Sequence, residues 1–110
     1  MLSKEMVAAS AEPLVLSLLA GGESYGYAIL REIERISAEQ IQWTEGMLYP
    51  VLHRLEAEGL IRARWKTADT GRRRKYYSLC PRGKTALAQL KQQWMTVHNT
   101  LVQLWEPAHG

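Results

Sequence analysis

A single cysteine, Cys80, is all that this chain of 110 residues contains. No internal disulfide is available, which excludes the cross-linked framework of a small secreted domain. Long apolar runs are missing as well: none approaches the roughly 20 residues that a membrane-crossing helix needs. No charged-then-apolar signal segment opens the chain. The expected compartment is therefore the cytoplasm, with no membrane partner. The residues of catalysis are equally scarce. His53, His98 and His109 have no metal-ligand spacing with Cys80, and no glycine-rich phosphate loop or activated nucleophile is present. Neither an enzyme, a metal site nor a cofactor is expected. Repeats and low-complexity segments are absent, and the length suits one domain with a modest core.

What the chain does have is positive charge in one place. Arg62, Arg64, Lys66, Arg72, Arg73, Arg74 and Lys75 are opposed in their window only by Asp69, a net charge of +6. The whole chain carries +3, so the remainder carries −3. Such a distribution marks a local patch facing a polyanion.

Apolar periodicity places the elements around that patch. Met1 to Ala11 reads as a helical arm. Pro13 interrupts it or starts a new helix, and Leu14, Val15, Leu16, Leu18 and Leu19 demand burial. Ser24 is the expected N-cap of a second helix with the stripe Ile29, Ile33 and Ile36. After a turn over residues 37–43, Thr44 to Glu58 form a third helix that buries Leu48, Val51, Leu52 and Leu55. Pro50 would clash with the carbonyl four residues earlier. That residue is Gly46, so the regular helix is expected to begin near it, after an irregular lead-in. From Leu60 to Trp65 the pattern alternates, with Ile61, Ala63 and Trp65 on one face. Residues 67–72 form the tip of a hairpin, and Arg73 to Leu79 return from it. Pro81 opens a last helix that runs to about Trp105.

An amphipathic helix followed by a cationic hairpin is a winged helix-turn-helix. The expected fold class is mainly α with a small β-hairpin (α+β), with residues 1–80 as the DNA-binding part and 81–110 as a dimerisation helix. In the last helix Leu87, Leu90, Trp94, Val97, Leu101 and Leu104 recur at three- and four-residue intervals, the seam that packs one helix along another. Part of that stripe can pack on the first helix of the same chain. The whole stripe is longer than that helix can cover, so a two-fold dimer is expected. A dimer would set two reading helices about 34 Å apart, one turn of a palindromic DNA site.

On the third helix Tyr49, His53 and Arg54 supply hydrogen-bond donors beside the small or compact Gly46, Pro50 and Ala57. Thr44, and Ser24, Tyr25 and Tyr27 at the start of the second helix, suit phosphates. Arg72, Arg73, Arg74 and Lys75 suit the DNA backbone or the adjacent minor groove, though strand alternation points only about half of them the same way. A winged helix used solely for protein–protein contact is the competing reading, since fold alone does not fix function. The basic wing and the paired geometry favour DNA.

Four motifs carry a resemblance. They are Tyr25-Gly26-Tyr27-Ala28-Ile29, Gly46-Met47-Leu48-Tyr49-Pro50, Leu55-Glu56-Ala57-Glu58-Gly59-Leu60-Ile61 and Gly71-Arg72-Arg73-Arg74-Lys75-Tyr76-Tyr77. In this order and spacing they resemble the PadR-like transcriptional regulators, in particular the short subgroup with one C-terminal dimerisation helix. The family pattern usually has threonine where Met47 stands, and a capping residue with an acid near Cys80 and Pro81. The resemblance implies a homodimeric repressor, released from its operator by a small aromatic or hydrophobic compound, or by another signal. It also implies that Trp94 resembles the position where short members stack planar drugs, with Met6, Met95 and Val97 as pocket neighbours.

Overall fold

The computed structural model describes residues 2–107; His109 and the chain ends of the predicted arm and last helix lie outside them. Helix α1 spans Lys4–Ala20 and is capped by Ser3, whose hydroxyl accepts the Met6 N–H at 3.2 Å. Pro13 lies inside this helix and neither interrupts nor restarts it. A helix-interior proline leaves the carbonyl four residues back without its donor. Here that residue is Ala9, which is exposed, so water can satisfy it. Ala11, Val15, Leu16 and Leu19 face inward.

The segment before α2 differs from expectation. Ser24 does not cap the helix; Ser24–Tyr25 form a short strand, β1, and Tyr25 takes the N-cap position with no side-chain bond. The reason is tertiary: Ser24 and Tyr25 pair with Tyr77 and Tyr76 of the wing. Helix α2 covers Gly26–Ile36 and buries Ile29 and Ile33. Ile36, expected to complete their stripe, is 67% exposed. The helix stops there, and Ala38 and Glu39 turn the chain away through positive φ values of 51° and 66°. Ser37 steadies the turn, its hydroxyl donating to Glu34 O at 3.2 Å and accepting the Ile41 N–H at 3.0 Å.

Helix α3 spans Glu45–Ala57 with Thr44 as N-cap, one residue ahead of the expected start. The Thr44 carbonyl accepts from both Met47 N and Leu48 N at 3.1 Å. Pro50 continues the helix, and the Gly46 carbonyl it leaves without a donor sits on the exposed side. Leu48, Leu52 and Leu55 are fully buried, while Val51 is half-buried.

Strands β2, Ile61–Thr67, and β3, Arg73–Leu79, pair antiparallel along their whole length, and β1 adds to the far edge of β3. The predicted hairpin is therefore two-thirds of a three-stranded sheet. Ile61 and Tyr77 sit in the core with Val15, Leu16, Leu19, Ile29 and the buried side of α3.

Tyr77 is 1% exposed and, among the described residues, its hydroxyl has no hydrogen-bond partner. An unsatisfied buried hydroxyl costs roughly 1–3 kcal/mol, so Tyr77→Phe should stabilise the protein by about 1 kcal/mol. Burial, then the neighbouring Tyr49 and Glu56, push the Tyr77 hydroxyl above its ordinary value of 10.0. A group held protonated in the fold contributes stability below its unfolded pKa and loses it as pH rises beyond about 10. Urea titrations at neutral and alkaline pH should show the variant ahead at both, by a larger margin at the higher pH. A wild-type advantage would mean that the hydroxyl is satisfied.

Helix α4, Pro81–Trp105, starts against the turn before β2. Cys80 N donates to Leu60 O at 2.9 Å, and a Cβ on Gly83 would overlap that same carbonyl oxygen and lie 2.7 Å from Leu79 Cδ1. Only glycine lets the helix approach so closely. Gly83→Ala should cost about 3 kcal/mol through overpacking against backbone. The check is a lower urea midpoint at unchanged slope; an unmoved midpoint would show that the junction gives way freely.

Beyond Leu90, α4 leaves the body of the chain, and every residue from Lys91 to Trp105 is exposed. The molecule measures 61 × 29 × 21 Å with a radius of gyration of 16.0 Å. A compact chain of this length would have about 13 Å. The excess is the projecting helix.

Candidate nucleic-acid interface

The start of α2, the start of α3 and the wing enclose a concavity of about 490 Å³, lined by Tyr25, Gly26, Tyr27, Glu45, Tyr49, Trp65 and the run Arg72 to Lys75. Its floor depends on one close approach. A Cβ on Gly26 would lie 2.5 Å from the Tyr49 hydroxyl, so the tyrosine rests directly on the first residue of α2. Tyr49 is consequently half-buried, and its ring stands 6.3 Å from that of His53. Tyr25 makes no side-chain cap bond, so among the described residues no cap side chain takes up the first N–H groups of α2, at a helix end where a phosphate is favoured.

The sites expected on α3 form a single surface. Gly46, Pro50, His53, Arg54 and Ala57 are all exposed, and none belongs to the buried side. Thr44 is exposed at the entry and makes no capping bond through its hydroxyl, which leaves it free to donate. Tyr27, also exposed, meets Arg31: the guanidinium lies 5.9 Å from its ring centroid, and Nη1 is 3.5 Å from the hydroxyl.

The four wing cations divide as strand geometry requires. Residues directly opposite in an antiparallel pair share a face. Lys75 is opposite Trp65, and Tyr77 opposite Ala63, so Arg73 and Lys75 lie on the face that turns toward α3. Arg74 lies on the other face, its guanidinium 4.3 Å from the centroid of Tyr25, which packs edge-on against Tyr76 at 5.3 Å. Arg72 ends the exposed tip.

That other face carries a network the sequence did not disclose. Glu23, just ahead of β1, reaches across the sheet to Arg64 Nη2 at 3.2 Å and to Lys66 Nζ. Lys66 also sits 4.6 Å over the Tyr76 ring. The Lys66 ammonium, with the Arg64 guanidinium beside it, holds the Glu23 carboxyl below its usual range. Two of the seven cations in the basic window are thus engaged within the chain.

Trp65 was also missed. Strand alternation places it with Ile61 and Ala63, which suggests burial, yet it is 58% exposed and lines the concavity opposite the start of α3. The Arg73 guanidinium lies 5.3 Å from its ring centroid, a cation–π contact between two residues that line the concavity. Glu45, expected in an irregular lead-in, is instead the first residue of α3 and lines the same concavity.

The seam of α4 is divided as well. Leu87 is buried in the core of its own chain and Leu90 is half-buried against it, which removes Leu87 from the expected dimer surface. The first turns of α4 lie on α1, and that contact takes up the start of the stripe. Trp94, Val97, Leu101 and Leu104 remain exposed, at 37%, 55%, 37% and 65%. Met6 and Met95 are exposed too. Met95 follows Trp94 by one residue and so lies about 100° around the helix from it.

Among the described residues no group of His, Cys, Asp and Glu side chains is placed to hold a metal ion. Comparison with known proteins points the same way as the geometry. Residues 15–89 match the transcriptional regulator PadR-like family. A transcriptional regulator of Mycobacterium tuberculosis is 36% identical over 75 residues, covering 68% of this chain and 66% of that protein. Among solved structures, a transcriptional regulator from Clostridium thermocellum superposes with a TM-score of 0.85 at 28% identity, over 96% of this chain and 100% of that one. A PadR-like transcriptional regulator from Bacillus cereus gives 0.84 at 29% identity, over 94% and 98%.

Proposed function

Because the chain belongs to the PadR-like family of transcriptional regulators, and is thus a DNA-binding regulator and no enzyme, we propose that it is a homodimeric repressor of a palindromic operator, relieved by a small planar aromatic or hydrophobic compound. Residues 1–80 read DNA in this scheme and 81–110 join the two copies. The exposed distal half of α4 is the observation that carries the dimer. Trp94, Val97, Leu101 and Leu104 follow one another along a helix that the described residues of its own chain leave exposed, an arrangement that water penalises by about 25 cal/mol per Å² of apolar surface. A second copy supplies the missing cover.

The DNA surface is the exposed side of α3, with His53, Arg54, Thr44 and Tyr49, together with the free N–H groups of α2 beside Ser24, Tyr25 and Tyr27. Arg72, Arg73 and Lys75 grip phosphates. Arg74 has a different part, bracing Tyr25 from the far face of the sheet. No helix among the described residues is long and apolar enough to cross a membrane. A regulator of this kind works where the chromosome is, in the cytoplasm.

The effector site lies at the dimer centre, between the two Trp94 side chains, with Met6, Met95 and Val97 nearby. Exposed methionines suit a pocket that adapts to varied ligands. A panel of planar aromatic compounds should quench the tryptophan fluorescence of the wild type and release it from DNA. Trp94→Phe, which retains Trp43, Trp65 and Trp105, should lose both responses. Quenching that persists in this variant would place the ligand elsewhere.

A further inference from the structure

The concavity between α2, α3 and the wing is lined by aromatics and by four consecutive cations, and Glu45 is the one acid among its lining residues. The placement of an acid there is costly. Phosphates are drawn to such a surface, and a carboxylate beside them repels them. Glu45 is exposed, it is the first residue of α3, and among the described residues it makes no ion pair with Arg72, Arg73, Arg74 or Lys75 although it lines the same space. It therefore stays free as an acceptor. In a helix-turn-helix the N-terminal residues of the reading helix are those that meet base edges. Gly46, next in line, has no side chain to hold the backbone off the groove.

We propose that Glu45 is a specificity residue, whose carboxylate accepts a hydrogen bond from the amino group of a cytosine in the major groove and disfavours DNA without one at that position. Of the bases, cytosine offers a lone amino donor in that groove, the partner that a glutamate selects. Adenine also carries an amino group there, but its N7 acceptor stands beside it and repels a carboxylate. The inference rests on the assignment of α3 as the DNA-reading helix. It adds a residue that lowers affinity in general and raises discrimination, where the wing arginines do the reverse.

The test is selection of bound duplexes from a random pool with the wild type, Glu45→Gln and Glu45→Ala. The same proteins are titrated with one duplex of arbitrary sequence. The wild type should enrich a cytosine at one position of each half-site. Both variants should lose that preference by about tenfold while binding the arbitrary duplex several-fold more tightly. A helix-stabilising acid, by contrast, would change the melting temperature and leave base preference intact. An enriched motif that survives both substitutions unchanged would overturn the role of Glu45. A wild type that enriches no motif at all would instead bring down the reading helix itself.

Discussion

Leu101→Glu should convert the proposed dimer into a monomer and, with the same substitution, abolish tight binding to a palindromic site. Leu101 faces no part of its own chain closely enough to be buried, so the fold of each copy should survive. In a dimer the two carboxylates would sit in the seam without partners. Breaking a buried arrangement in this way typically costs about 3–5 kcal/mol for each uncompensated charge. The dimer dissociation constant should rise by roughly a thousandfold or more. Sedimentation equilibrium reads that change directly. Gln92→Glu is the control, because Gln92 projects from the opposite side of α4 and should leave the dimer intact. If Leu101→Glu remained dimeric, the seam would not be the interface.

A second large effect should come from the wing. For double-stranded DNA the logarithm of the binding constant falls with the logarithm of salt concentration by about 0.9 per phosphate neutralised. Replacing Arg72 and Arg73 by alanine removes four such contacts from a dimer. The slope should become shallower by about 3–4. Arg74→Ala should act differently. Its guanidinium stacks on Tyr25 on the other face of the sheet, so that substitution should flatten the slope little. Titrations across a range of salt concentrations separate the two effects. An unchanged slope in the double variant would take the wing tip out of the interface.

The elements with their own local signals were legible in the sequence. Helix α3 announces itself by Leu48, Leu52 and Leu55, helix α4 by its three-and-four spacing, and the wing by alternation around a charged tip. Even the odd pairing of Gly46 with Pro50 foretold the start of α3 to within one residue. What escaped depends on neighbours that are distant in the chain. Ser24 looks like a cap by composition, but Tyr77 recruits it into the sheet. Trp65 alternates with core residues, yet it lines the open concavity between the wing and the start of α3 and stays exposed. Ile36 keeps helical phase with Ile33, while the turn that follows carries the chain away from it. Pro13 would end many helices, but here both flanks are helix formers and the orphaned carbonyl is wet.

The candidate site was legible in composition and less so in the assignment of its residues. Seven cations in one window announced a polyanion partner, but Glu23 occupies Arg64 and Lys66, and Tyr25 occupies Arg74. Only the register of β2 on β3 tells which arginines remain available. Likewise, Leu87 belongs to the seam by period and to the core by packing. A heptad cannot say where a helix leaves the body of its own chain.

The central claim is that two copies, joined along the exposed part of α4, present α3 and the wing to successive turns of one DNA face. Hydroxyl-radical footprinting on a duplex recovered by selection tests it most directly. Two protected patches, symmetric about a central point and one helical turn apart on the same face, are the predicted result. A single patch, with full affinity retained on half of the duplex, would contradict it.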